Sequence, residues 1–313
     1  MISVDNLINE LKERNIRSAT LQFPEGLKRE GKEIALQLKR KGYSITLNGD
    51  PCYGACDLCR TNREYSEVLI HFGHSQMIES RNVIYSPVFL DFPLKNLDLV
   101  LPYLPARSIG LATTVQHVHL IEPLKKFFEN NGYTVLTGNG SPRTPYPAQV
   151  LGCSFSNVKG LDVQAFLFVG TGLFHPTGIA LSTGKIVIAF DPYTLAVTEV
   201  NSERFLRKRF ALIESARKAS SFGIILSTKP GQSRIKLVKY LESLCFESII
   251  ISMQEITPDN LLNLGFDCYV NTACPRISYD DQKRFNVPVL SPGEFEILCG
   301  VRDWNQYILD EIS

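Results

Sequence analysis

Short β-branched and aromatic runs, punctuated by Gly and Pro, recur in the same order three times along this chain of 313 residues. That repetition restricts the chain to a set of similar α/β units. The first unit has expected strands at 18–23, 43–48, 67–72 and 82–85 and a helix at 27–41. The second has strands at 108–113, 133–137, 165–169 and 186–190 and a helix at 120–131. The third has strands at 222–227, 247–252, 267–271 and 287–290 and a helix at 234–245. Strands alternating with helices predict parallel sheets covered on both faces, so the expected fold is α/β, with three similar parallel-sheet domains around one central site. The boundaries are expected at 1–105, 106–220 and 221–313, each unit being large enough for its own core. Residue identity between units is faint, and the order of elements carries the repetition.

A 44% hydrophobic content suffices for a sizeable core. Thirty-three Lys+Arg against thirty-two Asp+Glu leave a net charge of +1, which implies no broad basic face for nucleic acid or acidic lipid. Residues 1–8 begin an acid-containing amphipathic helix and lack the basic region and apolar run of a signal peptide. No stretch approaches the roughly 18 apolar residues of a membrane span. A cytoplasmic protein is therefore expected. Eight cysteines in so large a reduced protein do not suggest a disulfide framework, which leaves packing, metal ligation or catalysis.

In parallel sheets ligands gather beyond the carboxyl ends of the strands. Three cysteine loops lie there: Gly54-Ala55-Cys56-Asp57 and Gly152-Cys153-Ser154 after second strands, and Thr272-Ala273-Cys274-Pro275-Arg276 after a third. They are not threefold equivalent, but all sit on the same edge type. Three thiolates delivered this way can hold an iron-sulfur cluster with one iron left open, which points to a redox enzyme. A second arrangement competes. Cys52, Cys56 and Cys59 spell C-x3-C-x2-C, the spacing of conventional radical S-adenosylmethionine enzymes; otherwise Cys52 and Cys59 are incidental or core thiols. Cys245, Cys268 and Cys299 have apolar or helical surroundings and read as core.

Gly170-Thr171-Gly172 and Lys229-Pro230-Gly231-Gln232 offer backbone N–H groups to a carboxylate or phosphate, although neither is a complete phosphate-binding loop. His117 and His119 read as a helix-entry or surface pair, whereas His74 and His175 lie in glycine-rich loops and are site candidates. The absence of a Gly-x-Ser-x-Gly elbow and of a convincing Cys-His pair argues against hydrolases.

Taken together, Gln22-Phe23-Pro24-Glu25-Gly26-Leu27, Gly49-Asp50-Pro51-Cys52-Tyr53-Gly54-Ala55-Cys56-Asp57, Gly152-Cys153-Ser154 and Asn271-Thr272-Ala273-Cys274-Pro275-Arg276-Ile277 resemble the diphthamide-synthesis family over nearly the whole chain. The most specific parts are Tyr-Gly-Ala-Cys-Asp and Ala-Cys-Pro-Arg. The resemblance implies a homodimer of three-domain subunits, each binding a 4Fe-4S cluster through one cysteine per domain, here Cys56, Cys153 and Cys274. It implies transfer of the 3-amino-3-carboxypropyl group of S-adenosylmethionine to C2 of one histidine of translation elongation factor 2, the first step of diphthamide formation. An electron donor is required, the open iron receives the sulfonium, and cleavage of the Cγ–S bond releases methylthioadenosine. Gly170, Gly172, His175, Lys229, Gly231 and Gln232 are the expected holders of S-adenosylmethionine, with Lys229 and the backbone groups suited to its carboxylate. The chain departs from the family pattern by adding Cys52 and Cys59. The competing expectations are a conventional enzyme that forms 5′-deoxyadenosine on Cys52, Cys56 and Cys59, or a non-catalytic cluster-bearing electron-transfer or scaffold subunit.

Overall fold

The computed structural model describes residues 4–61 and 64–312. The first sheet contains β1 (Ser18–Gln22), β2 (Ser44–Leu47), β3 (Val68–Phe72) and β4 (Val83–Ser86). The second contains β5 (Ser108–Thr113), β6 (Thr134–Leu136), β7 (Ala165–Val169), β8 (Ile186–Phe190) and β9 (Val197–Glu199). The third contains β10 (Phe222–Ser227), β11 (Ser248–Met253), β12 (Cys268–Asn271) and β13 (Val289–Leu290). Their spatial orders are β2-β1-β3-β4, β6-β5-β7-β8-β9 and β11-β10-β12-β13. In every sheet the second strand is therefore an edge, and the first and third form the centre.

Burial follows from that order. The central strands β3 and β7 are buried along their whole length, whereas the edge strands β2 and β6 expose alternate or terminal residues. Two-sided burial is what a parallel sheet with helices on both faces requires. Helix Lys28–Arg40 turns Gly31, Ile34 and Leu38 inward, and helix Ile121–Asn130 turns Ile121, Leu124 and Phe128 inward, each a stripe at helical spacing. Gly31 is required there, because a Cβ would come within 2.6 Å of the Phe23 ring, itself stacked on Phe72 at 4.1 Å.

Three features depart from a simple threefold repeat. The second sheet gains β9, which pairs antiparallel with β8 and so breaks the all-parallel expectation. Helix Ser202–Ala216 buries Ile213 and Ala216 in the core of the third sheet. The chain end then returns to the second sheet's core through Leu309, and the Ile312 N–H donates to the Cys153 carbonyl at 2.8 Å. Among the described residues no helix is long and apolar enough to cross a membrane.

Candidate functional site

The loops after β2, β6 and β12 carry Cys56, Cys153 and Cys274, all partly exposed and none disulfide-bonded. Contacts between the sheets tie the Cys56 and Cys153 loops to the loop after β10, and Arg276, two residues beyond Cys274, lies 5.8 Å from the ring centroid of Phe174, which packs on Gly152 beside Cys153. Gly231 N–H, after β10, donates to the Cys56 carbonyl at 3.1 Å, and Gln232 Nε2 lies 3.2 Å from Cys56 Sγ. A Cβ on Gly231 would stand 2.6 Å from both Cα and Cβ of Cys56, so this approach is open to glycine alone. Arg143, in the long loop after β6, spans the junction: its Nη2 lies 3.2 Å from Met77 Sδ, 3.2 Å from the Gly231 carbonyl and 3.9 Å from Cys153 Sγ. Its Nε is buried without a hydrogen-bond partner.

The thiols sense one another. Cys274 is pushed up to about 12, first by burial and then by the charges of Cys56 and Cys153. Burial likewise raises Cys56, against the Gln232 hydrogen bond, and raises Cys153, against the positive charge of Arg143. Three protonated thiols at neutral pH that repel one another as thiolates form a site for a soft multivalent cation, whose charge reverses the penalty.

Lys229 holds the Cys56 loop from beneath. Its Nζ pairs with Asp57 at 2.9 Å and Glu255 at 2.7 Å, and sits 4.8 Å from the Tyr53 ring centroid. Burial works against the lysine's charge, but the two carboxylates outweigh it and raise its pKa. Asp57 is also raised, by burial against Lys229, because it shares that cation with Glu255. Behind this pair, Gln22 Nε2 donates to the Asp57 carbonyl at 2.7 Å.

Of the other expected residues, Gly172 and His175 line a cleft of about 370 Å³ together with Phe174, Arg276, Tyr279 and Asp280. This cleft adjoins the thiols: Phe174 packs on Gly152, where a Cβ would meet its ring at 2.0 Å, and Arg276 is two residues beyond Cys274. Gly170 borders the neighbouring recess with Gly172. His175 stacks on Phe168, with ring centroids 5.8 Å apart, and burial lowers it to about 4, so it is neutral at physiological pH. The expected set thus divides into Lys229, Gly231 and Gln232 at Cys56 and Gly170, Gly172 and His175 at the cleft.

Cys52 is buried and faces His71 and His74, while Cys59 N–H donates to Gln22 Oε1 at 3.3 Å. Burial raises Cys52 to about 12 and Cys59 to about 11. Cys268 is a core thiol and Cys245 and Cys299 pack against the same core; His117 is buried and His119 pairs with Asp91 at the surface. Sequence reading did not single out Arg143 or Asp57. Nothing local marks Arg143, since Met77 and Gly231 are distant in sequence; the acidic side chain directly after Cys56 was a usable signal for Asp57.

A domain model described as putative diphthamide synthesis protein matches residues 23–308, and the chain belongs to that family. It is 38% identical to the 2-(3-amino-3-carboxypropyl)histidine synthase of Pyrococcus horikoshii, over 99% of this chain and 93% of the relative. The synthase of Methanocaldococcus jannaschii is 28% identical over 100% of this chain and 93% of its own length. The crystal structure of Dph2 from Pyrococcus horikoshii with a 4Fe-4S cluster superposes with a TM-score of 0.93 at 37% identity, covering 100% of this chain and 94% of that one.

Proposed function

We propose that this chain is a 2-(3-amino-3-carboxypropyl)histidine synthase, transferring the 3-amino-3-carboxypropyl group of S-adenosylmethionine to C2 of a histidine of translation elongation factor 2 in the first step of diphthamide biosynthesis. The observation that carries this reading is the convergence of Cys56, Cys153 and Cys274, one thiol from the loops of each sheet, in a fold shared at 37% identity with a cluster-bearing Dph2. Their partly exposed, mutually repelling thiols suit a 4Fe-4S cluster, with three cysteine ligands and a fourth iron open. Such a cluster supplies one low-potential electron and an open coordination position.

The chain's own residues do the positioning. Lys229, held by Asp57 and Glu255, fixes the Cys56 loop, and Gly231 lets the third sheet's loop close on it. Gln232 donates to the Cys56 sulfur and Arg143 brings positive charge to Cys153. The cleft beside Cys153 and Cys274 has the size of a small-molecule site. We assign it, with Gly170, Gly172 and His175, to S-adenosylmethionine, and Arg276 with Asp280 matches the carboxylate and ammonium of an amino-acid moiety. Which of three S–C bonds of the sulfonium breaks is then set by pose, which these walls impose. The radical character of the transfer, the homodimer and the one-electron donor belong to the same proposal and rest on the family resemblance; the cytoplasmic setting and three units at 1–105, 106–220 and 221–313 are carried into it from the sequence pattern.

The test is product identity. Anaerobic, dithionite-reduced protein with S-adenosylmethionine is expected to release methylthioadenosine and, with elongation factor 2 present, to attach the three-carbon fragment to one histidine. Formation of 5′-deoxyadenosine as the main product would overturn the assignment.

A further inference from the structure

Cys52 belongs to neither the three-sheet thiol set nor the lysine-bound side of its loop. Its Sγ and one ring nitrogen each of His71 and His74 all lie within 4.8 Å of one another, and His71 Nε2 is 2.9 Å from His74 Nδ1. The hydrogen bonds around Gln22 fix how His71 is protonated. Gln22 Nε2 donates to the Asp57 carbonyl at 2.7 Å, so its other face is the oxygen, which accepts from Cys59 N–H at 3.3 Å. An amide oxygen only accepts. His71 Nδ1, 2.8 Å from that oxygen, therefore carries the proton, and Nε2 presents its lone pair toward His74 and Cys52. A metal-ligating imidazole is held in this way, its rear N–H given to a fixed acceptor.

Zn–N bonds of about 2.0–2.1 Å and Zn–S bonds of about 2.3 Å in a tetrahedron separate the ligand atoms by roughly 3.3–3.6 Å. The two imidazole nitrogens, 2.9 Å apart, need open by a few tenths of an ångström to reach that spacing, and Cys52 Sγ, within 4.8 Å of both, closes on them by a change of side-chain rotamer. Two neutral imidazoles and one thiolate suit Zn²⁺ better than the hard cations, which take oxygen ligands. Cys52 and His71 are buried and His74 is partly exposed.

We propose that Cys52, His71 and His74 form a second metal site, distinct from the Cys56, Cys153 and Cys274 set, which takes one Zn²⁺ with water in the fourth position. On binding, the Zn–S bond forms and the Cys52 S–H bond breaks, its proton going to solvent. The Nδ1 proton that His74 donates to His71 Nε2 is lost from that nitrogen and one is taken up on His74 Nε2, so that both imidazoles stay neutral. The ion ties the loop that carries Cys56 to the end of β3, across the 18 residues of sequence between Cys52 and His71.

Cobalt tests this, because thiolate ligation gives Co²⁺ a near-ultraviolet charge-transfer band. The full chain is stripped with EDTA and titrated with Co²⁺ in a background in which Cys56, Cys153 and Cys274 are all replaced by Ser, which removes the competing thiols. One equivalent of Co²⁺ with a thiolate band, displaced by Zn²⁺, is expected. Adding Cys52→Ser abolishes the band, His74→Gln does the same, and Gln22→Leu, which removes the acceptor behind His71, weakens Zn²⁺ binding about 10- to 100-fold. Circular dichroism matched to the parent identifies folded variants, and if Cys52→Ser fails that check His74→Gln carries the test. No thiolate band in the parent, or a band that survives either ligand substitution, overturns the proposal.

Discussion

Two buried ion pairs in this molecule have the same chemistry and opposite behaviour. Arg209 and Glu294 meet within the core of the third sheet, with Nε to Oε1 at 2.7 Å and Nη2 to Oε2 at 2.6 Å. The remaining valences are filled: Arg209 donates to the Ser278 and Val289 carbonyls, and Glu294 accepts from Ser291 N–H and the Tyr307 hydroxyl. Burial alone would raise Glu294, but Arg209 and these donors hold it below the usual carboxylate range. Lys229 and Asp57 meet instead between loops of two sheets. There the cation is shared with Glu255, Asp57 gains only a 3.4 Å bond from Tyr53 N–H, and burial leaves its pKa raised. A saturated pair locks a core; a shared pair holds a loop in place without anchoring the fold.

The largest effect that separates the two is on stability. Glu294→Gln leaves Arg209 charged and buried with no counter-ion, and is expected to cost about 3–5 kcal/mol. Asp57→Asn leaves Lys229 paired with Glu255, and is expected to cost about 1 kcal/mol. Denaturant unfolding of both variants checks this, and equal costs would show that the two pairs anchor the fold alike. The pH dependences also differ in sign. Glu294, depressed in the folded chain, adds stability that is present above its unfolded pKa and lost as pH falls through the folded value. Asp57, raised, adds stability that is present below its unfolded pKa and lost as pH rises through the folded value. Relative to wild type, Glu294→Gln should therefore flatten the acid limb of a melting profile, whereas Asp57→Asn should remove a decline on going upward from acid pH.

A smaller effect is expected where the shared pair's loop meets Gly231. Gly231→Ala places a methyl group against the Cys56 backbone and should cost about 1–3 kcal/mol by overpacking, with a clear drop in iron and sulfide after anaerobic reconstitution. Unchanged cluster content would show that the approach of the two loops is not required for assembly. The smallest effect on stability is expected for Gln232→Leu, within about 1 kcal/mol. Loss of its N–H···S contact to Cys56 should lower the cluster's reduction potential, since such donors favour the more negative reduced form; a potentiometric titration followed by electron paramagnetic resonance reads the shift.

The same contrast explains what the sequence revealed. Twelve strands were legible because β-branched runs such as Val68-Leu69-Ile70 and Val187-Ile188 are buried on both faces and bounded by turns. β9 was not, being three residues long with Thr198 and Glu199 exposed. Helix Phe174–Thr183 also escaped notice: it follows a glycine turn, and Pro176, Gly178, Ile179 and Ala180 are buried without a clear apolar stripe. In the site, loop position and neighbouring residues singled out Cys56, Cys153 and Cys274. Arg143, the commitment of Lys229 to two carboxylates, and the meeting of Cys52 with His71 and His74 depend on how loops from distant parts of the chain pack, which local sequence does not encode.

The proposed cluster takes one cysteine from the loops of each sheet. That ligand set is tested most directly by replacing Cys52, Cys56, Cys59, Cys153 and Cys274 singly with Ala and measuring iron and sulfide after anaerobic reconstitution. Cys56→Ala, Cys153→Ala and Cys274→Ala are expected to lose the cluster, while Cys52→Ala and Cys59→Ala retain most of it. Loss confined to Cys52→Ala, Cys56→Ala and Cys59→Ala would place the cluster on the local C-x3-C-x2-C run and overturn the three-sheet ligand set.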